Sequence, residues 1–286
     1  MSRSLFENIV FVCVAAVIGL SEPAIRPALA EEDYHFLNFT APIPLSRGTL
    51  DPTGEGALTL EPAEACRLAN TEWGWGPGEC DTLARMVVGG DKDIDTLLIE
   101  KPADVGYVDL GDWSDGDGSI ERIWDSFSES MRAQSARIHK NLKPIRWYIR
   151  PTVDRDKQYL LYAVLLEWDG EPIINVKATK FDRYGYIVFS VVPRNSEISP
   201  VDLKAAVERA MGSYHPKPEA AYTSYISGDK VAAVGAAGVL ATLLGVKYGK
   251  AAAAGVFAVA LIFIKKLGFV LLVLPVLLVK KLFRRT

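Results

Sequence analysis

From residue 230 to its end the chain carries no Asp, Glu or His. Those 57 residues are mostly Ala, Gly, Val, Leu, Ile and Phe, broken by short Lys clusters and closed by Lys280-Lys281-Leu282-Phe283-Arg284-Arg285. A stretch of that kind suits a bilayer better than water. It also divides the chain electrically. Between residues 31 and 229, 33 acidic residues face 21 basic ones, a net of −12, whereas the end carries +9. An acidic body argues against nucleic acid as a partner, because phosphate binding needs a basic surface. Lys and Arg beside apolar spans mark the cytoplasmic side, so Lys280, Lys281, Arg284 and Arg285 are expected there.

Three apolar runs make up this end: 231–246, 251–264 and 267–279, with 16, 14 and 13 residues. At about 1.5 Å per residue each helix would be roughly 20 to 24 Å long, short of the ~30 Å hydrocarbon core. One helix over 251–279 would bury Lys265 and Lys266 at mid-bilayer, at roughly 2.5 to 3.5 kcal/mol each. One crossing or three would leave the final charges in the cytoplasm, and two would leave them outside. The reading favours one main crossing with a second, interfacial or bundled helix, and the count stays open. Ala233, Ala237, Ala241, Gly245 and Gly249 recur at four-residue steps. Such a stripe lets helices approach in lipid, which suggests self-association or docking on a partner span. A segment this rich in Ala and Gly also produces a stripe by composition alone.

The other terminus looks like an export signal. Arg3 precedes an apolar run over 9–20, and Ala28-Leu29-Ala30 is a small-x-small cleavage site. Glu22 and Arg26 separate the two, so an uncleaved N-terminal anchor is the alternative. Either places residue 31 onward outside the cytoplasm. Cysteine usage agrees. Beyond Cys13 in the leader the chain keeps Cys66 and Cys80, an even pair that reads as a disulfide in an oxidising compartment. The pair closes a loop of about 15 residues, worth roughly 3 kcal/mol in the chain-entropy account.

The central region alternates turn signals with apolar patterns. Residues 31–60 hold Ala41-Pro42-Ile43-Pro44 and Asp51-Pro52-Thr53-Gly54 and read as an extended lead-in. A short helix is expected over 61–70, with Pro62 near its start. Ile120, Ile123, Trp124, Phe127, Met131, Ile138 and Leu142 step by three and four along one long helix. Trp147, Ile149 and Val153 mark a strand. Tyr159 to Trp168 is a second, followed by Asp169-Gly170, a preferred two-residue hairpin turn. Ile174, Val176 and Ala178 alternate with Asn175, Lys177 and Thr179, as in a strand with one wet face. Another strand follows Tyr184-Gly185, then a helix over 200–214. The expected fold class is α+β: an antiparallel meander with one face packed against a long amphipathic helix and one or two shorter ones, plus a C-terminal helical membrane anchor. The expected division is 1–30 leader or N-terminal anchor, 31–60 lead-in, 61–226 exported domain and 227–286 anchor.

Catalytic patterns are weak. Asp104, Asp109, Asp112, Asp115 and Asp117 crowd one Gly-rich loop, but the standard calcium-loop spacing fails, since Ile120 and Ser126 fall where Gly and Glu belong. A solvated turn whose last acids, or Ser119, cap the long helix is the simpler reading. His35, His139 and His215 are scattered, without metal-ligand spacing. No Gly-x-Ser-x-Gly elbow is present. Gly245 to Lys250 departs from a phosphate loop, with Leu244 where the first Gly belongs and Ala251 in place of Ser or Thr. Trp73, Trp75 and Trp113 sit in Gly-rich loops, where folding back over the sheet is expected. Neither cofactor nor metal is implied.

Gly106-Tyr107-Val108, the helix from Ile120, Trp147 before a strand, the hairpin Glu167-Trp168-Asp169-Gly170 and the junction Ser227-Gly228-Asp229-Lys230-Val231-Ala232-Ala233 form an ordered set. Together they resemble a bacterial family known as uncharacterised membrane-anchored proteins, a domain of unknown function. The resemblance spans roughly 55–286. It implies an exported α+β domain anchored at its C-terminus, and it carries over no catalytic residue. The expectation is an inner-membrane protein with its main domain periplasmic and its C-terminus cytoplasmic. Its partners would be the bilayer and either an envelope protein or a second copy of itself. The alternative is an envelope hydrolase whose site cannot be read from sequence.

Overall fold

The computed structural model describes residues 34–246 except 74, 76, 77, 79, 115, 117, 139 and 140. The chain begins with four short strands: β1 (Leu37–Asn38), β2 (Ile43–Leu45), β3 (Gly48–Leu50) and β4 (Leu58–Leu60). Helix α1 (Pro62–Glu72) leads to β5 (Leu83–Val88) and β6 (Ile94–Glu100). Helix α2 (Ser119–Ile138) precedes four long strands, β7 (Leu142–Asp154), β8 (Tyr159–Trp168), β9 (Glu171–Asp182) and β10 (Gly185–Pro193). Helix α3 (Pro200–Gly212), β11 (Tyr214–Pro216), two 3-10 turns (Pro218–Ala220, Tyr222–Ser224) and α4 (Ala236–Leu243) complete it.

Eight strands form one antiparallel sheet in the order β1-β4-β5-β6-β10-β9-β8-β7, and β11-β3-β2 form a second. The 7-8-9-10 meander follows the turns. Asp169 and Gly170 both hold positive φ, 51° and 96°, as the hairpin between right-twisted strands requires. Asp169 and Asn141 then tie that turn to the start of β7 through a 2.7 Å backbone bond. This tie accounts for a departure from the expected helix stripe. Leu142 opens β7 opposite Trp168 instead of ending α2, and Pro144 two residues on bars helix continuation.

Helices cover both faces of the large sheet, not the one face expected. The reason lies in β8, whose run of apolar residues serves two cores. Tyr159, Leu161 and Ala163 join Leu203, Ala206, Val207 and Met211 of α3 on one side. Leu160, Tyr162, Val164 and Leu166 join Ile120, Ile123 and Phe127 of α2 on the other. A strand buried on both faces reads as a continuous apolar run. A third cluster packs α1, through Ala65 and Leu68, on Met86, Val88 and Leu98. Trp113 is buried beside α2, and Trp73 and Trp75 pack edge-to-face at 5.9 Å against the α1 cluster. The lead-in is not outside the fold, because β1 and β4 extend the large sheet and β2 and β3 build the small one. Both edges of the large sheet are blunted, β1 by its two-residue length and β7 by three register shifts and two prolines.

The expected boundary at 226/227 does not follow the fold. Residues 227–246 pack into the body. Tyr107 and Val231 form a parallel bridge, with Tyr107 N–H donating to Lys230 O (2.8 Å) and Ala232 N–H to Tyr107 O (2.9 Å). Helix α4 then buries Ala236, Ala237, Val239, Leu240 and Ala241 in the α2 core. It stops at a glycine cap. Gly245 holds φ +69°, its N–H bonds Thr242 O (3.0 Å), and Val246 N–H reaches back to Ala241 O (2.9 Å). Among the described residues no helix is long and apolar enough to cross a membrane. Of the three apolar runs, the first therefore serves the body. The runs 251–264 and 267–279 and the leader 1–30 lie outside the described residues.

Candidate functional site

A groove of about 490 Å³ opens where the turn between β2 and β3 meets α1, β5 and the end of β6. Pro44, Pro62 and Pro102 wall it, and Arg47, Arg85, Lys101 and Asp104 bring its charges. Pro62 occupies the first turn of α1, whose start has no side-chain cap. Each cation is held differently. Arg47 lies in the two-residue turn of the small sheet and reaches buried Asp182, with Nη1 2.7 and 2.8 Å from its oxygens. Its Nη2 also pairs with Asp104, which is 83% exposed. Arg85 Nη1 meets the exposed Glu61 at 2.6 Å, while its buried Nε has no partner. Lys101 donates to Asp81 O at 2.8 Å and is exposed.

Beside the groove lies the junction that carries the chain toward its C-terminus. Tyr107 stacks on Tyr222 and Tyr225, with ring centres 4.5 and 4.2 Å away. Tyr222 donates its hydroxyl to Val108 O (2.8 Å). Arg183 clamps Asp229 with bonds of 2.7 and 2.8 Å, and that clamp holds the Asp229 carboxyl below the usual range. Lys230 donates to Asp104 O (2.9 Å), so one residue touches both groove and junction. Tyr184, Tyr225, Ile226 and Val231 stay exposed on the segments these bonds hold together.

The acidic loop does three separate jobs. Asp104 pairs with Arg47. Asp109 accepts from Gly111 N–H at 2.8 Å in a local turn. Asp112 accepts from Ala236 N–H at 3.1 Å and so caps α4 from a distant segment. Burial, with Asp109 nearby, pushes its carboxyl above the usual range despite that bond. Asp115 and Asp117 lie outside the described residues. Among the described residues no cluster of three or more His, Cys, Asp or Glu could hold a metal.

The other sequence-derived residues are placed as follows. Cys66 and Cys80 are at disulfide-bonding distance, with Cα atoms 5.4 Å apart. Ala237 and Ala241 face the body's core, Ala233 is exposed before α4 begins, and Gly245 ends it. Within the described residues the stripe is split: Ala237 and Ala241 share a buried side of α4, Ala233 precedes the helix and Gly245 ends it. Gly249, Lys280, Lys281, Arg284 and Arg285 lie outside the described residues, as does His139. His215 Nε2 sits 2.9 Å from Asp51 on the exposed small sheet, and the groove is lined by no histidine. Sequence reasoning missed Arg47, Arg85 and Lys101 because no linear pattern unites them.

A family model described as protein of unknown function (DUF2167) matches residues 39–276. No curated protein matches the chain. Among solved structures, the solution structure of cyanobacterial PsbP (CyanoP) from Synechocystis sp. PCC 6803 is 8% identical over 68% of this chain and 98% of that one. Its TM-score of 0.35 is too low to assign a fold.

Proposed function

This chain belongs to the DUF2167 family of proteins of unknown function, and from that premise we propose a non-enzymatic role at the bacterial cell envelope. The body stands on the periplasmic face of the inner membrane, held by the apolar runs 251–264 and 267–279, with the terminal Lys and Arg in the cytoplasm. It binds another envelope protein. The observation that carries this reading is the exposed group Tyr184, Tyr225, Ile226 and Val231 at the junction. Exposed aromatic and aliphatic side chains in one place mark a contact surface more often than a catalytic one. The Cys66 and Cys80 pair supports an oxidising compartment.

The test is site-specific photocrosslinking from position 225 or 226 in cells, with mass spectrometry of the products. The reading expects a discrete envelope protein. A product that is a second copy of this chain moves the role to self-association. Uncrosslinked protein at both positions, or a periplasmic reporter fused after Asn195 that stays inactive, overturns it.

A further inference from the structure

We propose that the groove beside α1 is a binding site for a phosphate-bearing ligand. The body is acidic by 33 to 21 between residues 31 and 229, yet this cavity is lined by three cations and one carboxylate. Its volume of about 490 Å³ falls among small-molecule sites. The prolines, among them Pro62 in the first turn of α1, give rigid apolar walls.

The carboxylates that now answer these cations fall into two kinds. Asp182 is buried and fixes Arg47 in place. Asp104 and Glu61 are 83% and 59% exposed. In each pair a largely buried guanidinium meets a carboxylate on the solvent side, so the carboxylate is the partner that a ligand phosphate can replace at Arg47 Nη2 and Arg85 Nη1. Lys101 supplies a point charge at the rim. This inference uses none of the junction residues on which the envelope-partner reading rests.

The experiment is isothermal titration calorimetry of the full chain in neutral detergent at low ionic strength. The probes are inorganic phosphate, glycerol phosphate and malonate, with a parallel series in micelles doped with phosphatidylglycerol. The expected result is binding of glycerol phosphate or of the doped micelles, which separates a soluble from a lipid source, with malonate much weaker. Lys101→Gln weakens binding about tenfold, the scale of one charge-assisted hydrogen bond. Asp104→Asn strengthens it, because it removes a competing carboxylate. Both side chains are exposed, so folding is not at stake. A purely structural role gives no such opposition of sign. Malonate equal to phosphate, no heat from either phosphate source, or two variants that change affinity in the same direction overturns the proposal.

Discussion

Replacing Leu240 by Ala separates a helix that belongs to the body from one that belongs to lipid. Leu240 is fully buried in the core that also holds Ile123, Phe127, Tyr162 and Val188. Removing it forfeits the transfer energy of the lost methyl groups and leaves a cavity, about 2 to 5 kcal/mol in packed cores. A body of about 200 residues shifts its melting temperature by roughly 2 to 4 °C per kcal/mol. A mid-range loss of ~3 kcal/mol therefore lowers it by roughly 6 to 12 °C. On a lipid-facing or wet helix the same change would cost under about 0.5 kcal/mol, since Ala is the better helix former. The assay is thermal unfolding of the chain followed by tryptophan fluorescence, because Trp113, Trp124 and Trp147 belong to the same core. Val201→Ala on α3 is the control, as that side chain is 76% exposed and is expected to change little. If Leu240→Ala melts with the control, α4 is no part of the core and the extension of the body to residue 246 fails.

Replacing Cys66 and Cys80 by Ser should cost roughly 3 kcal/mol, and the wild type under reductant should melt with the variant. Gly106→Ala should open the junction: its φ is +100° and a Cβ would sit 2.7 Å from Lys230 O, a strain of about 1 to 3 kcal/mol. Faster tryptic cleavage after Lys230 reads it out. Asp112 is held above the usual carboxylate range first by burial, so the folded body takes its proton more readily than the unfolded chain. Its contribution is therefore most favourable at low pH and weakens as pH rises through the raised value. Asp112→Asn keeps an acceptor for Ala236 N–H and should melt no lower than wild type at neutral pH, whereas Asp112→Ala should lose about 1 kcal/mol; an Asn variant as weak as Ala refutes the point. Asp229 has the opposite sign. Its carboxyl is depressed by Arg183, so its support is present above the ordinary range and lost as pH falls through the depressed value. Protection of the Ile226 and Tyr107 amides from hydrogen exchange, taken relative to the intrinsic rate at each pH, should fall under acid in wild type, and a flat profile there counts against the clamp.

The parts of this fold that were legible were those where local chemistry and tertiary context agree. Asp169-Gly170 could only be a tight turn, and the apolar run before it could only be a buried strand. In α3, Ser199 accepts from Asp202 N–H and Pro200 takes the first turn, a start visible in sequence. The second covered face was not legible, because Asn175, Lys177 and Thr179 suggested water, yet Thr179 is fully buried. Residues 231–246 read as part of the apolar end from sequence, yet 236–241 pack into the body's core, for a plain reason. Hydropathy reports a preference for leaving water and does not say whether lipid or a sheet receives the side chains. Two signals pointed the right way: the run was shorter than a bilayer, and Gly245 stood where a helix cap would stand. The groove had no such signal. Arg47, Arg85, Lys101 and Asp104 come from four separate segments, and only the fold makes them neighbours.

The bridge between Tyr107 and Val231 sets the order in which the chain is attached to the body. Followed inward from Val246, the chain meets α4 first, and that helix is held by apolar contacts and the Asp112 cap. Only then come the paired backbone at Tyr107 and the Arg183 clamp on Asp229. Attachment is thus graded along the chain: a short helix held by apolar contacts comes first from the C-terminal side, and the backbone bridge and the ion pair lie behind it.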